Sequence, residues 1–265
     1  MHAGDTRWSY YEGGHGPTIV LLHGFNSTKQ VWLPVAGLLT PNFHLVIPDL
    51  PGWGDSSRLP GGNYTIEAQA LRLQAFVQAL GLKKVLLVGH SMGGAIAGVY
   101  AAEHGKHVAK LALLDSAGLK FKENAFSRAA RLGKDPFVYG DRAGFWRAMK
   151  LIFDKLPHIP GRFVDVLVDG NTRQRGFIAR NFRSLQRASE ALSLQHHLSQ
   201  LSIPVLGLWC RDDRIIDPSA LDALRHGIIH ASAISTTVLS GCGHAPMMEK
   251  PEVTARVLTA FALSY

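Results

Sequence analysis

Val85-Leu86-Leu87-Val88-Gly89-His90-Ser91-Met92-Gly93-Gly94 is the stretch on which the reading of the fold turns. Four apolar residues, Val85–Val88, have the length of a buried strand. They run through a glycine into Ala95–Ala102, a run of small residues suited to a helix packed closely on a sheet. A strand that passes so abruptly into a helix belongs to an α/β layer. Gly89-His90-Ser91-Met92-Gly93 also fits the pattern Gly-x-Ser-x-Gly, which is weak on its own in a chain with 27 glycines. Its context gives it meaning. A serine on such a turn is held in a strained backbone conformation that projects its hydroxyl. Only small residues fit two positions to either side, and the helix N-terminus behind it favours developing negative charge. Ser91 is therefore the candidate nucleophile.

Further apolar runs of strand length lie on both sides: Thr18–Leu22, Phe43–Ile47, Leu111–Leu114, Val205–Trp209 and Thr236–Leu239. They alternate with helical patterns. Ile66 to Leu80 is apolar at 66, 70, 73, 77 and 80, with Gly81 as a stop, and a last helix runs from Glu249. The expected class is α/β, a mostly parallel sheet with helices on both faces. The alternation lapses at about Leu119 and resumes at about Leu201. The stretch between reads as several helices broken at Asp135-Pro136, Pro157, Pro160-Gly161 and Gly170-Asn171. A structureless loop of that length has no place in a compact domain. The expected organisation is a core of residues 1–118 and 199–265 with an inserted helical cap, residues 119–198.

At 265 residues, 46% hydrophobic and 18% charged, the chain is a globular protein able to bury a sizeable core. That composition excludes disorder and coiled coil. No apolar run approaches the ~18 residues of a membrane span. The first residues, Met1 to Arg7, lack the apolar segment of a signal peptide, so a cytoplasmic location is expected. The net charge of +8 resides entirely between Leu119 and Leu198, which hold 15 Lys/Arg against 7 Asp/Glu and 10 of the 23 aromatics. Solvated helix faces account for most of these; contact with an anionic membrane surface is the functional alternative. Nothing resembles a nucleic-acid-binding module, and no nucleic-acid partner is expected. Cys210 and Cys242 lack metal-ligand spacing and read first as ordinary core thiols. The other reading is a bridge, because each follows one of two successive strands; a reducing cytoplasm opposes it.

A serine hydroxyl needs a base, and the base an orienting carboxylate. His244 follows the strand Thr236–Leu239, between Gly241 and Ala245, and is the candidate base. Most other histidines read as surface or packing residues, and His196-His197 lacks the i, i+4 spacing of a helical metal site. Arg211-Asp212-Asp213-Arg214 follows the strand Val205–Trp209, at the carboxyl edge of the sheet where ligands of α/β folds bind. Asp213 is the candidate acid and Asp115, ending the preceding strand, the alternative. Asp212 and Asp217 read as surface or loop-stabilising carboxylates.

Taken in order, these segments resemble the α/β-hydrolase fold family across nearly the whole chain. His23-Gly24-Phe25 is similar to its oxyanion loop, and Pro48-Asp49-Leu50-Pro51-Gly52-Trp53-Gly54-Asp55-Ser56 to the turn after its next strand. Gly89 to Gly94 resembles its nucleophile elbow, followed by Asp213 and Gly243-His244 in the family's order Ser, Asp, His. The resemblance implies an oxyanion hole made by the backbone N–H groups of Phe25 and Met92. One departure is Cys210, where the family commonly has glycine. His23-Gly24-Phe25-Asn26, Gly98-Val99-Tyr100-Ala101-Ala102, Ser116-Ala117-Gly118-Leu119 and Cys242-Gly243-His244 are similar to monoacylglycerol-lipase-like and bacterial esterase/lipase members. What that branch implies is a serine hydrolase of carboxylic esters working through an acyl-enzyme. Its substrate is a small ester, lipids included, and it calls for no metal or organic cofactor. Ser91 argues against the relatives that use an aspartate nucleophile. Serine C–C bond hydrolases of ring-cleavage products and a slow or non-catalytic receptor on the same fold are the alternatives. The cap's Phe and Trp residues are expected to line an apolar channel, and its basic excess to meet anionic headgroups.

Overall fold

The computed structural model describes residues 1–264. Its strands are β1 (His2–Ala3), β2 (Thr6–Arg7), β3 (Tyr10–Gly13), β4 (Thr18–Leu22), β5 (His44–Pro48), β6 (Val85–His90), β7 (Val108–Leu114), β8 (Val205–Cys210) and β9 (Ile234–Leu239). The first two pair in a small antiparallel ribbon. The other seven form one sheet in the order β3-β5-β4-β6-β7-β8-β9, parallel throughout except for β3 at the edge. The α/β-hydrolase fold, a mostly parallel sheet with helices on both faces, is what the sequence led us to expect.

Alternation along each strand divides the core in two, because successive side chains point to opposite faces. Val20, Leu22, Val85 and Leu87 face α2 (Ile66–Ala79), α3 (Met92–Glu103) and α9 (Ala220–Gly227). Ile19, Leu21, Leu86 and Val88 face α1 (Leu33–Leu39) and α11 (Pro251–Leu263), with the single turn α10 (Pro246–Glu249) before it. Every residue of β6 is buried, which is why its sequence reads as a continuous apolar run and not as an alternation.

Between β7 and β8 come α4 (Ala125–Arg131), α5 (Arg142–Ile152), α6 (Gly161–Leu185), α7 (Ala188–Ala191) and α8 (Ser193–His197). The segment is tied down at α7, where buried Glu190 accepts the Ile66 N–H at the start of α2 (2.8 Å). It is tied again at α8, where Gln195 N–H bonds to Gly118 O (2.7 Å). Asp135-Pro136, Pro157 and Pro160 fall between helices, but the expected break at Gly170-Asn171 is absent and α6 runs through it. Tertiary bonds override the local preference there. Asn171 is buried, accepts the Tyr139 N–H (3.0 Å) and donates to Phe137 O (2.8 Å), enough to offset the ~1 kcal/mol propensity cost of the glycine beside it.

Cys210 and Cys242 are joined in a disulfide, with Cα atoms 5.3 Å apart and both residues fully buried. This corrects the reading of two ordinary core thiols. β8 and β9 pair with Cys210 opposite Leu239, so the turn after β9 returns Cys242 to the end of β8. No helix among the described residues is long and apolar enough to cross a membrane.

Candidate active site

The centre of the site is the turn from β6 to α3. Ser91 has φ 53° and ψ −121°, a region that costs a non-glycine residue about 1–3 kcal/mol. Hydrogen bonds on both sides hold it there. Ser91 N–H donates to Leu114 O (3.0 Å), and Ser91 O accepts from the N–H groups of Gly94, Ala95 and Ala117. The flanking glycines are sterically required: a Cβ on Gly89 would lie 2.2 Å from Gly93 O, and one on Gly93 2.4 Å from His23 O.

The loop after β4 is set by His23, which is fully buried. Its Nε2 accepts the Leu50 N–H (2.9 Å), leaving Nδ1–H to donate to Gly24 O (2.8 Å). Burial lowers its pKa to about 4, so the ring is neutral at physiological pH. The same loop is clamped by buried Asp49, which accepts from Lys29 N (2.7 Å), Lys29 Nζ (2.5 Å) and Asp55 N (2.9 Å). Burial opposes the Lys29 charge, but hydrogen bonds from Asp49 and Asp55 outweigh it and raise its pKa. Phe25, so placed, packs edge-on against Trp53 at 5.0 Å. The backbone N–H groups of Phe25 and Met92 donate to no group among the described residues. Both border the cavity that Ser91 faces.

His244 and Asp213 arrive from the loops after β9 and β8. His244 Nδ1–H donates to Asp213 Oδ2 at 2.7 Å, both side chains being buried. Asp213 Oδ1 accepts the N–H groups of Ile215 (2.8 Å) and Ile216 (3.1 Å). Backbone anchors fix the position of His244: its N–H donates to Ile152 O (2.6 Å), and its carbonyl accepts from His90 Nε2 (2.6 Å). Burial, together with the neighbouring His244, holds the His90 pKa well below the usual imidazole range, so His90 is neutral. Glu249 accepts from Gly243 N (2.6 Å) and Asp154 N (2.9 Å), joining this loop to the end of α5. His90 and Glu249 carried no sequence signal, because their work is to hold backbone that only the folded chain brings near.

Ser91, His244, Phe25 and Met92 line one cavity of about 740 Å³. Phe126, Phe137, Phe145 and Phe182 wall it, and exposed Lys120, Glu123, Arg131, Leu167 and Met248 are also among its lining residues. The expectation for tryptophan is corrected: Trp146 packs against Phe145 at 5.0 Å and does not border the cavity. Of the other carboxylates, Asp212 is exposed and Asp217 accepts the Ser219 N–H. Asp115, by contrast, is fully buried behind the Asp213–His244 pair.

The sequence profile of the alpha/beta hydrolase fold family matches residues 17–251. Human monoacylglycerol lipase ABHD6 is 31% identical over 277 aligned positions, covering 100% of this chain and 81% of that protein. Lipase 1 of Psychrobacter immobilis is 32% identical, covering 98% of this chain and 82% of the other. Among solved structures, a bacterial membrane phospholipase A described as a virulence factor superposes with a TM-score of 0.92 at 33% identity. That match covers 99% of this chain and 84% of the other.

Proposed function

The chain belongs to the alpha/beta hydrolase fold family, and from that premise we propose that it hydrolyses carboxylic esters through an acyl-enzyme on Ser91. The observation that carries the reading is a strained serine facing an aromatic cavity that it shares with a carboxylate-oriented histidine. With Nδ1–H committed to Asp213, His244 keeps Nε2 free as the base. His244 takes the proton as Ser91 Oγ attacks the acyl carbon, and Asp213 balances the imidazolium. The free N–H groups of Phe25 and Met92 stabilise the oxyanion, and each such donor is worth roughly 10²–10³ in rate. The alcohol leaves with the proton from His244, and water repeats the sequence to release the acid. No metal or organic cofactor enters this scheme.

The relatives above 30% identity carry lipase names, which favours ester cleavage over C–C cleavage and over a receptor. The helices of residues 119–198 serve in this reading as a cap whose aromatic wall accepts an acyl chain. Initial rates on p-nitrophenyl esters from acetate to palmitate test it. We expect an optimum at medium or long chains and a loss on the order of 10⁶-fold in Ser91→Ala. Turnover that survives the substitution sinks the proposal.

Helix α6 suggests how a lipid substrate is reached. Its first half exposes Phe163 (51%), Val166 (62%) and Leu167 (46%), the last of which also borders the cavity. Its second half exposes Arg173, Arg180 and Arg183, which the helical repeat keeps on one side, and exposed Arg187 follows its cap. Exposed apolar residues in the first half, beside a basic second half, suit contact with an anionic bilayer, although Asp165, paired with Arg142, and Asp169 are exposed among them. The Cys210–Cys242 bridge, which a reducing compartment does not preserve, favours an oxidising location over the cytoplasm expected from the amino-terminal sequence.

A further inference from the structure

A second carboxyl group stands behind the first. Asp115 directly follows β7 with φ 43°, a left-handed conformation that aspartate tolerates better than most residues but still at a cost. Its side chain is fully buried, and Oδ1 accepts the Cys210 N–H (2.8 Å). Oδ2 has no donor at all. Asp213 Oδ2 sits 2.7 Å from His244 Nδ1, and the Asp115 carboxyl comes within 4.8 Å of a nitrogen of the same ring, so the two carboxyls share one buried pocket around His244. Side-chain atoms of Asp115, His90 and His244 come within 4.8 Å of one another.

Two ionised carboxylates do not share a dry site without a cation between them. The titratable groups facing Asp115 are Asp213 after β8, Glu249 on α10, His90 on β6 and His244 after β9. No lysine or arginine is among them. One carboxyl must hold a proton, and the donor count decides which. Asp213 accepts three N–H groups, from Ile215, Ile216 and His244. Asp115 accepts one. We infer that Asp115 is a neutral carboxylic acid whose O–H donates to Asp213, making it a positioning residue for the acid of the site. This satisfies the orphan oxygen, removes the charge conflict and adds a fourth bond to the carboxylate that aims His244. Burial first, and the Asp213 charge next, push the Asp115 carboxyl well above the usual carboxylate range, against a smaller opposite pull from the Cys210 N–H. The inference rests on reading Asp213 as the catalytic acid.

Two substitutions fit the backbone, since asparagine and glycine both tolerate positive φ. Asp115→Asn keeps an acceptor for Cys210 and a donor for Asp213, whereas Asp115→Gly keeps neither. The wild type at neutral pH is expected to show the infrared carbonyl stretch of a protonated carboxylic acid that Asp115→Asn lacks. Melting supplies a second readout. In the unfolded chain Asp115 ionises near pH ~4, while the folded protein retains the proton. Native protein therefore binds more protons above that pH, and its stability falls as pH rises towards the folded pKa. The melting temperature of Asp115→Asn should accordingly gain on the wild type with each rise in pH above ~4. In turnover, Asp115→Gly should lower kcat on the order of tenfold with KM little changed, and Asp115→Asn should recover most of that loss. In an Asp213→Asn background the glycine should add no further loss. The inference is overturned if Asp115→Asn costs as much kcat as Asp213→Asn, if the carbonyl band persists in Asp115→Asn, if the melting gap closes as pH rises, or if Asp115→Gly leaves kcat intact. The spectrum and the melting curves need no substrate, so they fail or succeed independently of the hydrolase reading.

Discussion

The hydrogen bond between His244 Nδ1 and Asp213 Oδ2 leaves Nε2 as the free nitrogen of the imidazole, the one the proposed mechanism uses. Asp213→Asn offers an NH₂ group in place of one carboxylate oxygen and turns the ring to the wrong tautomer. We expect kcat to fall about 10⁴-fold with the fold intact, measured as the initial rate on one ester with the circular-dichroism spectrum as control. The residues of this pair were legible in the sequence because each follows an apolar strand at the same sheet edge. Asp115 was legible only as an alternative acid, since sequence position does not say which of two buried carboxyls receives the donors. The histidines differ for a similar reason. His244 follows a strand in a glycine-flanked loop, whereas His90 became informative only when its Nε2 met a carbonyl 154 residues away.

Among the elements, the strand-to-helix elbow was the easiest to read: Val85–Val88 and Gly89–Gly94 each agree with the fold at every level, from burial to glycine clearance. β3 left no signal, because Tyr10–Gly13 lies at the sheet edge with only Tyr10 even half-buried and so has no apolar alternation. β7 begins at Val108, three residues before the apolar run. Lys110 fits there because its Nζ reaches the carbonyls of Phe261 (2.8 Å) and Ala262 (3.0 Å) near the end of α11. Helix α6 was misread at Gly170-Asn171, where partners distant in sequence stabilise what local propensity disfavours. The same helix carries a prediction of its own. Replacing Arg173, Arg180 and Arg187 by glutamine should weaken binding to phosphatidylserine vesicles on the order of 10²-fold, at ~1 kcal/mol per basic residue. Sedimentation with vesicles in low and high salt measures it, with hydrolysis of a soluble acetate ester as reference. Binding that is unchanged, or insensitive to salt, removes α6 as the contact.

On the scale of the whole molecule, the charge of +8 and the proposed catalytic residues occupy different parts of the chain. Residues 119–198 carry the whole imbalance, while Ser91, Asp213 and His244 all come from loops at the edge of the sheet. Composition alone reveals this division, whereas the bridge between Cys210 and Cys242 depends on the register of β8 on β9. Closing a loop of 32 residues contributes about 3–4 kcal/mol in the chain-entropy account, and it does so between the loops that bear Asp213 and His244. The central claim concerns the serine between those parts. Treatment with a p-nitrophenyl alkylphosphonate, followed by intact-mass measurement and peptide mapping, tests it most directly. The account predicts one phosphonyl group per chain, located on Ser91, with p-nitrophenol released in equal amount and hydrolysis lost in proportion. Modification elsewhere with activity lost, or full occupancy of Ser91 with activity retained, would contradict it.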